Sequence, residues 1–395
     1  MATNAKNIAE LLNTDTTVKV GDIEDGSVTT AKLAASAVTT AKVADDAVTS
    51  AKLFSDNLGR RNLVINGDMK IQQRYAAAAV TQAVNSTYSG PDRWRFFLNG
   101  GGAYTVTQDS GHQADTGHDK AIKIAVTTAD TSIAAGDYYS FLQRIESNSL
   151  QHLQYGTSSA KSLTLSFWVR ATKTGTHAVH FAKQGTGTDY RHIKEYTINA
   201  SNTWEHKTIT IPGLTASTMA NDDSTYFQVG WMLKYGSDFQ GTKDTWTTSG
   251  HYTTAAAVNN MDSTSNVFYL TGVQLEVGDT ATDFEHIPFV DQMLQCKRYC
   301  DITHLTASNT AGFTLNATNS TNYHFPYRYS TRMRIAPTVT YNVWTHSGFP
   351  NTGGGAGGGV TAQRNGVEGC NYYASANATA NGSYILGAID AEAEL

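Results

Sequence analysis

The sequence has few charged residues and no long apolar run, and each shortage excludes a class of protein. Charged residues make up 16% of the 395 positions, and the formal net charge is −5. The lysines and arginines are scattered, so we expect no nucleic-acid partner, which would require a basic patch. No apolar stretch reaches the ~18 residues that a membrane span needs, so we also expect no membrane insertion.

Cysteine is equally scarce, with only Cys296, Cys300 and Cys370. This odd, small number does not form a disulfide framework and is typical of a protein that folds in a reducing cytosol. Cys296 and Cys300 lie four residues apart with no further ligand close by, which favours buried free thiols over a metal site. The opening residues, Met1 to Leu12, lack a basic segment followed by an apolar run, so we expect no signal peptide.

Common catalytic and metal-binding motifs are also missing. The sequence contains no G-x-S-x-G, H-E-x-x-H or C-x-x-C pattern. His177 and His180 are three residues apart on a predicted strand, so they face opposite sides and make poor co-ligands. We therefore expect no catalytic residue, no metal and no cofactor, and we expect that the protein is not an enzyme. A pair of glycan-cleaving carboxylates cannot be recognised in a single sequence, so that alternative stays open.

A five-residue apolar repeat runs through residues 18–58. It contains three decapeptides, DGSVTTAKLA, ASAVTTAKVA and DDAVTSAKLF, over residues 25–54. A period of five fits neither the 3.6 of a helix nor the 2 of a strand. One large apolar side chain in five cannot offset the backbone entropy of ordering, ~1–2 kcal/mol per residue, within a single chain. Three chains wound about an axis can bury these residues, which predicts a trimeric stalk, with a flexible linker as the alternative. The apolar positions are Val18, Ile23, Val28, Leu33, Val38, Val43, Val48 and Leu53.

Residues 1–17 precede the repeat and contain a short predicted helix from Asn4 to Asn13. Ile8, Leu11 and Leu12 fall on one face of this helix. Such an amphipathic helix suits docking to a partner, although a frayed end has the same pattern.

The middle of the chain has the alternation of β-strands. Leu163, Leu165, Phe167 and Val169 alternate with polar or amphipathic residues, and segments 177–182, 204–211, 227–233 and 267–275 are further predicted strands. Many short strands separated by Gly, Asn, Thr and Asp turns indicate a β-sandwich.

Several motifs in this region resemble one family. The segment NLVINGDM at 62–69 is followed by Gln73-Arg74, Tyr88 and Asp92-Arg93-Trp94, and GVQLEVGDTATDFEH closes the region at 272–286. This pattern resembles the jelly-roll domain of many bacteriophage tail fibres, which is similar to carbohydrate-binding modules. The resemblance implies a jelly-roll β-sandwich over residues 59–290.

The tryptophans of this region divide into two groups. Their large apolar area places Trp94, Trp204 and Trp231 in the predicted core. Trp246 lies in the polar loop GTKDTWTTSGHY, and we expect Trp246 and Tyr252 to be candidate glycan contacts.

The remaining residues, 291–395, resemble the terminal domain of the same fibres. DQMLQCKRYC predicts a helix and resembles the family's L-x-x-C-Q-R-Y-Y segment, although Cys300 stands where the family usually has Tyr. Met333 to Thr340 resembles its M-R-x-x-P-T-V-T strand, and Ala388 to Leu395 resembles its D-A-E-L ending. We therefore predict a short helix followed by a C-terminal β-sandwich tip.

A glycine run, Gly353 to Gly359, lies inside the predicted tip among aromatic residues. It lacks the Gly-Lys-Ser/Thr of a phosphate-binding loop, so it is either a plain surface loop or a variable receptor-contacting loop. Candidate glycan contacts around it are Trp344, His346, Phe349 and Tyr372.

The predicted fold is therefore mainly β. The resemblance implies a phage tail fibre protein that is homotrimeric, is located in the virion and is made in the host cytoplasm. Its N-terminus would dock to a phage tail, baseplate or adaptor protein, and it would attach to a host surface polysaccharide without covalent chemistry. The alternatives are a fibre that degrades the glycan, a depolymerase, and a purely structural or decorating virion fibre.

Trimerisation is directly testable. Light scattering should give about three times the chain mass of 42.6 kDa. Replacing Val28, Val38 and Val48 by Asp should weaken the stalk, because it would stack like charges near one axis. A stable, folded monomer that includes residues 18–54 would contradict the stalk hypothesis.

Overall fold

The structure is a computed structural model that describes residues 60–74, 80–82, 87–302, 313–314, 320–347, 360–363, 365–378 and 384–394. The docking residues Ile8, Leu11 and Leu12 and the eight stalk positions from Val18 to Leu53 lie outside the described residues. Residues 59–395 form one compact unit, and the predicted domain boundary after residue 290 falls within it. Within the described part, no helix has the length and apolar character to cross a membrane.

Twelve strands build the larger part of this unit. In chain order they are β1 (Val80–Gln82), β2 (Arg95–Asn99), β3 (Ala103–Ser110), β4 (Lys120–Thr128), β5 (Tyr138–Glu146), β6 (Leu163–Ala171), β7 (Gly175–Gln184), β8 (Tyr190–Ile198), β9 (Glu205–Ile211), β10 (Tyr226–Tyr235), β11 (Trp246–Thr247) and β12 (Val267–Val277). A helix at Gln113–Thr116 and 3-10 turns at Ser147–Ser149, Gln151–Leu153 and Ser237–Phe239 connect some of them. The strands predicted from alternation at 163–170, 177–182, 227–233 and 267–275 are confirmed.

The twelve strands form two antiparallel sheets. The first sheet has the order β1-β3-β4-β12-β6-β9, and the second has the order β11-β8-β7-β10-β5-β2. One extended apolar core takes side chains from both sheets, so the arrangement is a β-sandwich. The prediction of a mainly β, sandwich-type protein is confirmed at this level.

Strand alternation explains how the core is filled. On β6, Leu163, Leu165, Phe167 and Val169 are fully buried, whereas Trp168 is only half-buried. Because successive strand residues face opposite sides, the inner face of β6 supplies the core and its outer face carries amphipathic residues.

Two of the three tryptophans predicted in the core are there. Trp94 and Trp231 are fully buried, with ring centroids 5.7 Å apart, and the Trp94 indole N–H donates to the Asn66 carbonyl. The prediction was wrong for Trp204, which is half-buried next to the Arg170 guanidinium, 5.0 Å from its ring. Trp204 immediately precedes β9, a strand at the edge of the first sheet, and it is not part of the apolar core.

The NLVINGDM segment, which we call the joint, holds the start of the sandwich against β12. The Asn62 side chain accepts from the Val64 and Leu275 amides and donates to the Val273 carbonyl. A Cβ atom on Gly67 would lie 2.0 Å from the Val273 carbonyl oxygen, so only glycine fits there. The motif therefore fixes the opening segment against β12.

The C-terminal part begins with the helix Phe289–Lys297, which confirms the predicted helix. In the described residues that follow there are seven strands: β13 (Cys300–Ile302), β14 (Phe313–Thr314), β15 (Ser320–Arg328), β16 (Thr338–Ser347), β17 (Val360–Gln363), β18 (Gly369–Ala378) and β19 (Tyr384–Glu392). They form two antiparallel sheets, one with β13, β14 and β16 around β19 and one with the order β15-β18-β17. Cys296 and Cys300 are buried, as predicted, and so is Cys370.

The strand predicted from Met333 to Thr340 begins only at Thr338. Pro337 has no N–H for a sheet ladder. Arg334, before it, donates through its guanidinium to the carbonyls of Ala393, Glu394 and Asp223. The first half of this motif therefore binds other segments instead of extending the strand.

Charged side chains join the sandwich to the last residues of the chain, in a cluster that we call the junction (Arg74, Asp92, Arg93, Tyr299, Glu392 and Glu394). Arg93 is 1% exposed and pairs with Glu394, and its guanidinium carbon lies 3.4 Å from the centroid of the Tyr299 ring. Arg74 pairs with Glu392 at 2.9 Å and with Glu394 at 3.0 Å.

The ion pairs of the junction predict how substitutions there change the free energy of unfolding. Glu394→Gln should lower the free energy of unfolding by about 3–5 kcal/mol, because it leaves the buried Arg93 charge without its counter-ion. Glu368→Gln is the matched control, since Glu368 is 72% exposed and pairs with a 68% exposed Arg332. We expect that control to cost about 0–1 kcal/mol. Urea unfolding measures both, and equal losses would contradict the role of the junction.

A second prediction concerns two buried histidines of β7. Burial lowers the pKa of His177 to about 4 and that of His180 to about 3. Above the unfolded value of about 6.5 both states are neutral, so these groups then add no pH dependence. As the pH falls below 6.5, the unfolded chain binds protons that the folded chain does not, so stability should fall by up to about 1.4 kcal/mol per pH unit for each histidine.

Unfolding curves between pH 7.5 and pH 4.5 test this expectation. In His177→Gln the slope of stability against pH should be shallower than in the wild type, whatever the offset at pH 7.5. A variant whose slope equals that of the wild type would show that His177 is not the source of the acid sensitivity.

Candidate functional site

The glycan contacts predicted in the tip are only partly described. Trp344 and His346 lie on β16 and Tyr372 lies on β18, and these strands belong to different sheets. Phe349 and the run from Gly353 to Gly359 lie outside the described residues. These residues stay predictions.

Trp246, predicted in the sandwich, is largely used for packing. Its ring centroid lies 5.2 Å from His192, 6.3 Å from Tyr155 and 6.4 Å from Phe227. The indole N–H donates to the Pro212 carbonyl at 2.9 Å. Trp246 therefore packs at the edge of the core, where it is half-buried, and its role as a glycan contact stays a prediction.

Tyr252, by contrast, lines a groove on the outer face of the second sheet. The groove has a volume of about 250 Å³, and we call it the aromatic groove. The residues that line it are Phe97, Tyr138, Leu142, Arg144, His180, Gln184, Tyr226, Gln228, Tyr235, Phe239 and Tyr252. Six of these eleven residues are Phe or Tyr, so aromatic rings make up about half of its lining residues.

Strand β10 makes the floor of the groove between β5 and β7. Phe227, Val229 and Trp231 point into the core, which leaves Tyr226, Gln228 and Gly230 on the groove side. A Cβ on Gly230 would lie 2.6 Å from a His180 ring carbon and 2.9 Å from the Leu142 Cβ. Because glycine has no side chain, the groove is deeper at this position, and the His180 and Leu142 side chains can approach the Gly230 backbone.

One wall is a cluster of four aromatic rings from β5, β10, the 3-10 turn after β10 and the loop after β11. The Phe239 ring lies 5.4 Å from Tyr235 and 5.7 Å from Tyr138, and Tyr252 lies 5.9 Å from Tyr235. The Tyr252 amide donates to the Phe239 carbonyl at 2.8 Å, and the Gly241 amide donates to the Thr253 carbonyl at 2.8 Å. These backbone bonds hold the loop, so the wall is formed before any ligand arrives.

Two buried polar side chains lie in the groove. The Gln228 amide N–H donates to His180 Nε2 at 2.8 Å, while Gln228 Oε1 has no hydrogen-bond partner in the described part of the chain. Burial, together with the charges of Arg191 and Arg144, lowers the pKa of His180 to about 3. His180 is therefore neutral at physiological pH, and the free Gln228 oxygen can accept a hydrogen bond from a ligand hydroxyl.

Arginines lie against the groove aromatics. The Arg144 guanidinium carbon is 4.3 Å from the centroid of the Tyr226 ring, and that of Arg191 is 4.9 Å from Tyr252. Such stacking orients a guanidinium and presents its N–H groups at the ring edge. No aspartate or glutamate is among the eleven lining residues.

Of the residues that line the groove, the sequence analysis named Tyr252 as a candidate contact and did not name Arg144, His180, Tyr226 or Gln228. The signal available was the alternation of β10, which makes Tyr226 and Gln228 face away from the core once Phe227 and Val229 face inward. Alternation cannot tell which of the two outer faces is concave, because that depends on how strands far apart in sequence pair. Among the residues that the structure describes, no three His, Cys, Asp or Glu side chains are grouped as a metal site.

No family model matches the sequence, and no curated protein matches it either. Among solved structures, the chain is similar to the enzymatically active domain of tailspike protein 4 of bacteriophage CBA120, with 12% identity and a TM-score of 0.30 over 55% of this chain and 21% of that one. It is also similar to a family 11 carbohydrate-binding module of a cellulosomal cellulase of Clostridium thermocellum (14% identity, TM-score 0.27, 51% of this chain and 99% of that one). A third is a putative sugar binding protein from Bacteroides thetaiotaomicron (12% identity, TM-score 0.30, 55% of this chain and 100% of that one). The matched region spans about a fifth of the tailspike chain, and all three TM-scores are below 0.5.

Proposed function

We propose that the protein is a bacteriophage tail fibre protein that attaches to a host-surface glycan by non-covalent binding in the aromatic groove. The fibre assignment, the jelly-roll topology, the homotrimer and the virion anchor at the N-terminus rest on the sequence motifs that resemble this family. The groove is the observation that carries the binding function.

The composition of the groove supports a sugar ligand. Sugar rings have apolar faces that stack on aromatic side chains, while their hydroxyls need a few well-placed polar partners. Tyr252 and Phe239 supply stacking surface, and Gln184 and Gln228 supply amides at the floor. The floor strand is hydrogen-bonded on both sides, by β5 and β7, so little entropy is lost when a ligand binds.

The lining residues also favour binding over cleavage. Glycosidic hydrolysis usually uses two carboxyl groups that flank the bond. The groove lining offers none, and its histidine is kept neutral by burial and by nearby arginines. We therefore propose an adhesin, and the depolymerase and the purely structural fibre remain alternative outcomes of the test.

The experiment is a titration of purified protein with the surface polysaccharide of a bacterium to which it adsorbs. Tyr252→Ala should weaken binding by about 10- to 100-fold, a loss of about 1–3 kcal/mol, scaled from base–aromatic stacking. Trp168→Ala is the matched control, because Trp168 is a half-buried aromatic residue on the outer face of the first sheet. Equal affinities for the two variants would contradict the groove as the binding site.

The same material separates the alternatives. If Trp344→Ala weakens binding and Tyr252→Ala does not, the contact lies in the tip, as the sequence predicted. Release of reducing ends during incubation would identify a depolymerase. Absence of any binding to the host cell would favour a structural or decorating fibre.

A further inference from the structure

Several guanidinium groups lie at the aromatic groove, although the net charge of the protein is −5, and one of them, that of Arg191, pairs with Asp189 at 3.7 Å. Three guanidinium groups lie against three different rings of its lining, and no carboxylate lines it. The pairs, with their distances from guanidinium carbon to ring centroid, are Arg144 on Tyr226 (4.3 Å), Arg191 on Tyr252 (4.9 Å) and Arg95 on Phe97 (4.9 Å).

Arg144 is a half-buried arginine that has no counter-ion among the described residues, and Arg170 and Arg334 share this feature, whereas Arg93 and Arg298 each have one. Arg93 pairs with Glu394, and Arg298 pairs with Glu146 at 2.7 Å. For Arg144, no carboxylate of the described residues lies within ion-pair distance, and its Nε atom is buried without a hydrogen-bond acceptor. Burial of the guanidinium also lowers the pKa of Arg144. A partly buried cation without an anion is costly, so this position favours a ligand that supplies one.

Arg144 is also held in place, and it lies beside Gln228. Its backbone carbonyl accepts from the Arg93 guanidinium at 2.6 Å, which fixes this end of β5. Arg144 and Gln228 are direct cross-strand partners on β5 and β10. Such partners have Cβ atoms about 4.5–5.5 Å apart, so one sugar unit can reach both side chains.

We propose that the aromatic groove selects an acidic glycan, in which the carboxylate of a uronic-acid-type sugar pairs with Arg144 while a hydroxyl of the same unit donates to Gln228 Oε1. This inference rests on the proposed function of the groove and adds the substrate class. A planar guanidinium matches a carboxylate through two parallel hydrogen bonds. Sulfate and phosphate esters share the negative charge, and the experiment separates them from carboxylates.

The test uses a glycan array with neutral, uronic-acid-containing, sulfated and phosphorylated oligosaccharides, probed with the full-length protein. We expect the uronic-acid members to dominate the bound set. Each bound acidic glycan is then titrated beside its carboxyl-reduced, neutral form, which should bind at least about tenfold more weakly. High salt should weaken only the acidic ligand, because it screens the ion pair.

Three variants make the assignment specific to Arg144. Arg144→Ala and Arg144→Gln should each lose at least about tenfold in affinity for the acidic glycan and little for its neutral form. Arg170→Ala is the matched control, because the Arg170 guanidinium also stacks on aromatic rings but lies on the first sheet. It should bind like the wild type.

Each possible outcome of these experiments supports or contradicts the inference. A bound set made of neutral glycans, or unchanged affinity of both Arg144 variants for the acidic ligand, would overturn it while leaving glycan binding intact. Binding confined to sulfated or phosphorylated members, and lost in both Arg144 variants, would keep the anion site and reject the carboxylate. If no glycan on the array binds, or if Tyr252→Ala binds as the wild type does, the proposed function itself fails.

Discussion

The buried pair between Arg93 and Glu394 is the contact that joins the start of the sandwich to the last described residues of the chain. The two residues are 301 positions apart, and the guanidinium is 1% exposed. A charge removed from water to this degree needs a counter-charge and hydrogen-bond acceptors, and both Nη groups of Arg93 have them, while its Nε has no partner in the described part of the chain. Glu394 supplies the counter-charge, the Arg144 carbonyl accepts a hydrogen bond, and the Tyr299 ring covers one face. These partners come from three separate segments, so satisfying one side chain positions all three.

This contact also links the scaffold to the candidate site. The Arg144 carbonyl accepts a hydrogen bond from Arg93 in the junction, and the Arg144 side chain lines the aromatic groove. One residue of β5 therefore connects the two. Groove residues on paired strands keep their spacing because β10 is hydrogen-bonded to both neighbours. A binding site built on paired strands holds its side chains more rigidly than one built on loops. In the wall that carries Tyr252, Tyr252 and Phe239 lie outside the strands, and a backbone hydrogen bond between these two residues holds their segments in place.

The sequence pattern was sufficient to predict those helices and strands whose structure depends on one segment of the chain. The strands β6, β10 and β12 and the helix Phe289–Lys297 follow from local periodicity, and they were predicted. Trp204 was misplaced because a large apolar ring favours the core only when its strand offers an inward position, and residue 204 precedes an edge strand. The groove could not be predicted, because Arg144, His180 and Gln228 come together only through the register of β5, β7 and β10. The family-like motifs were informative in another way: Asn62, Gly67 and Arg93 are residues of the joint and the junction, and none of them lines the groove.

The charge of the groove depends on which of its basic groups are buried and neutral and which are stacked on aromatic rings and protonated. His180 is buried at the floor, so it stays neutral until the pH is far below the physiological range, with a pKa of about 3. Arginine side chains stay protonated at all physiological pH values. The positive charge that faces a ligand therefore comes from guanidinium groups alone, and it does not change between mildly acidic and neutral conditions. Selectivity for an acidic sugar would then be limited at low pH only by protonation of the sugar itself, because no group that lines the groove changes its charge in that range.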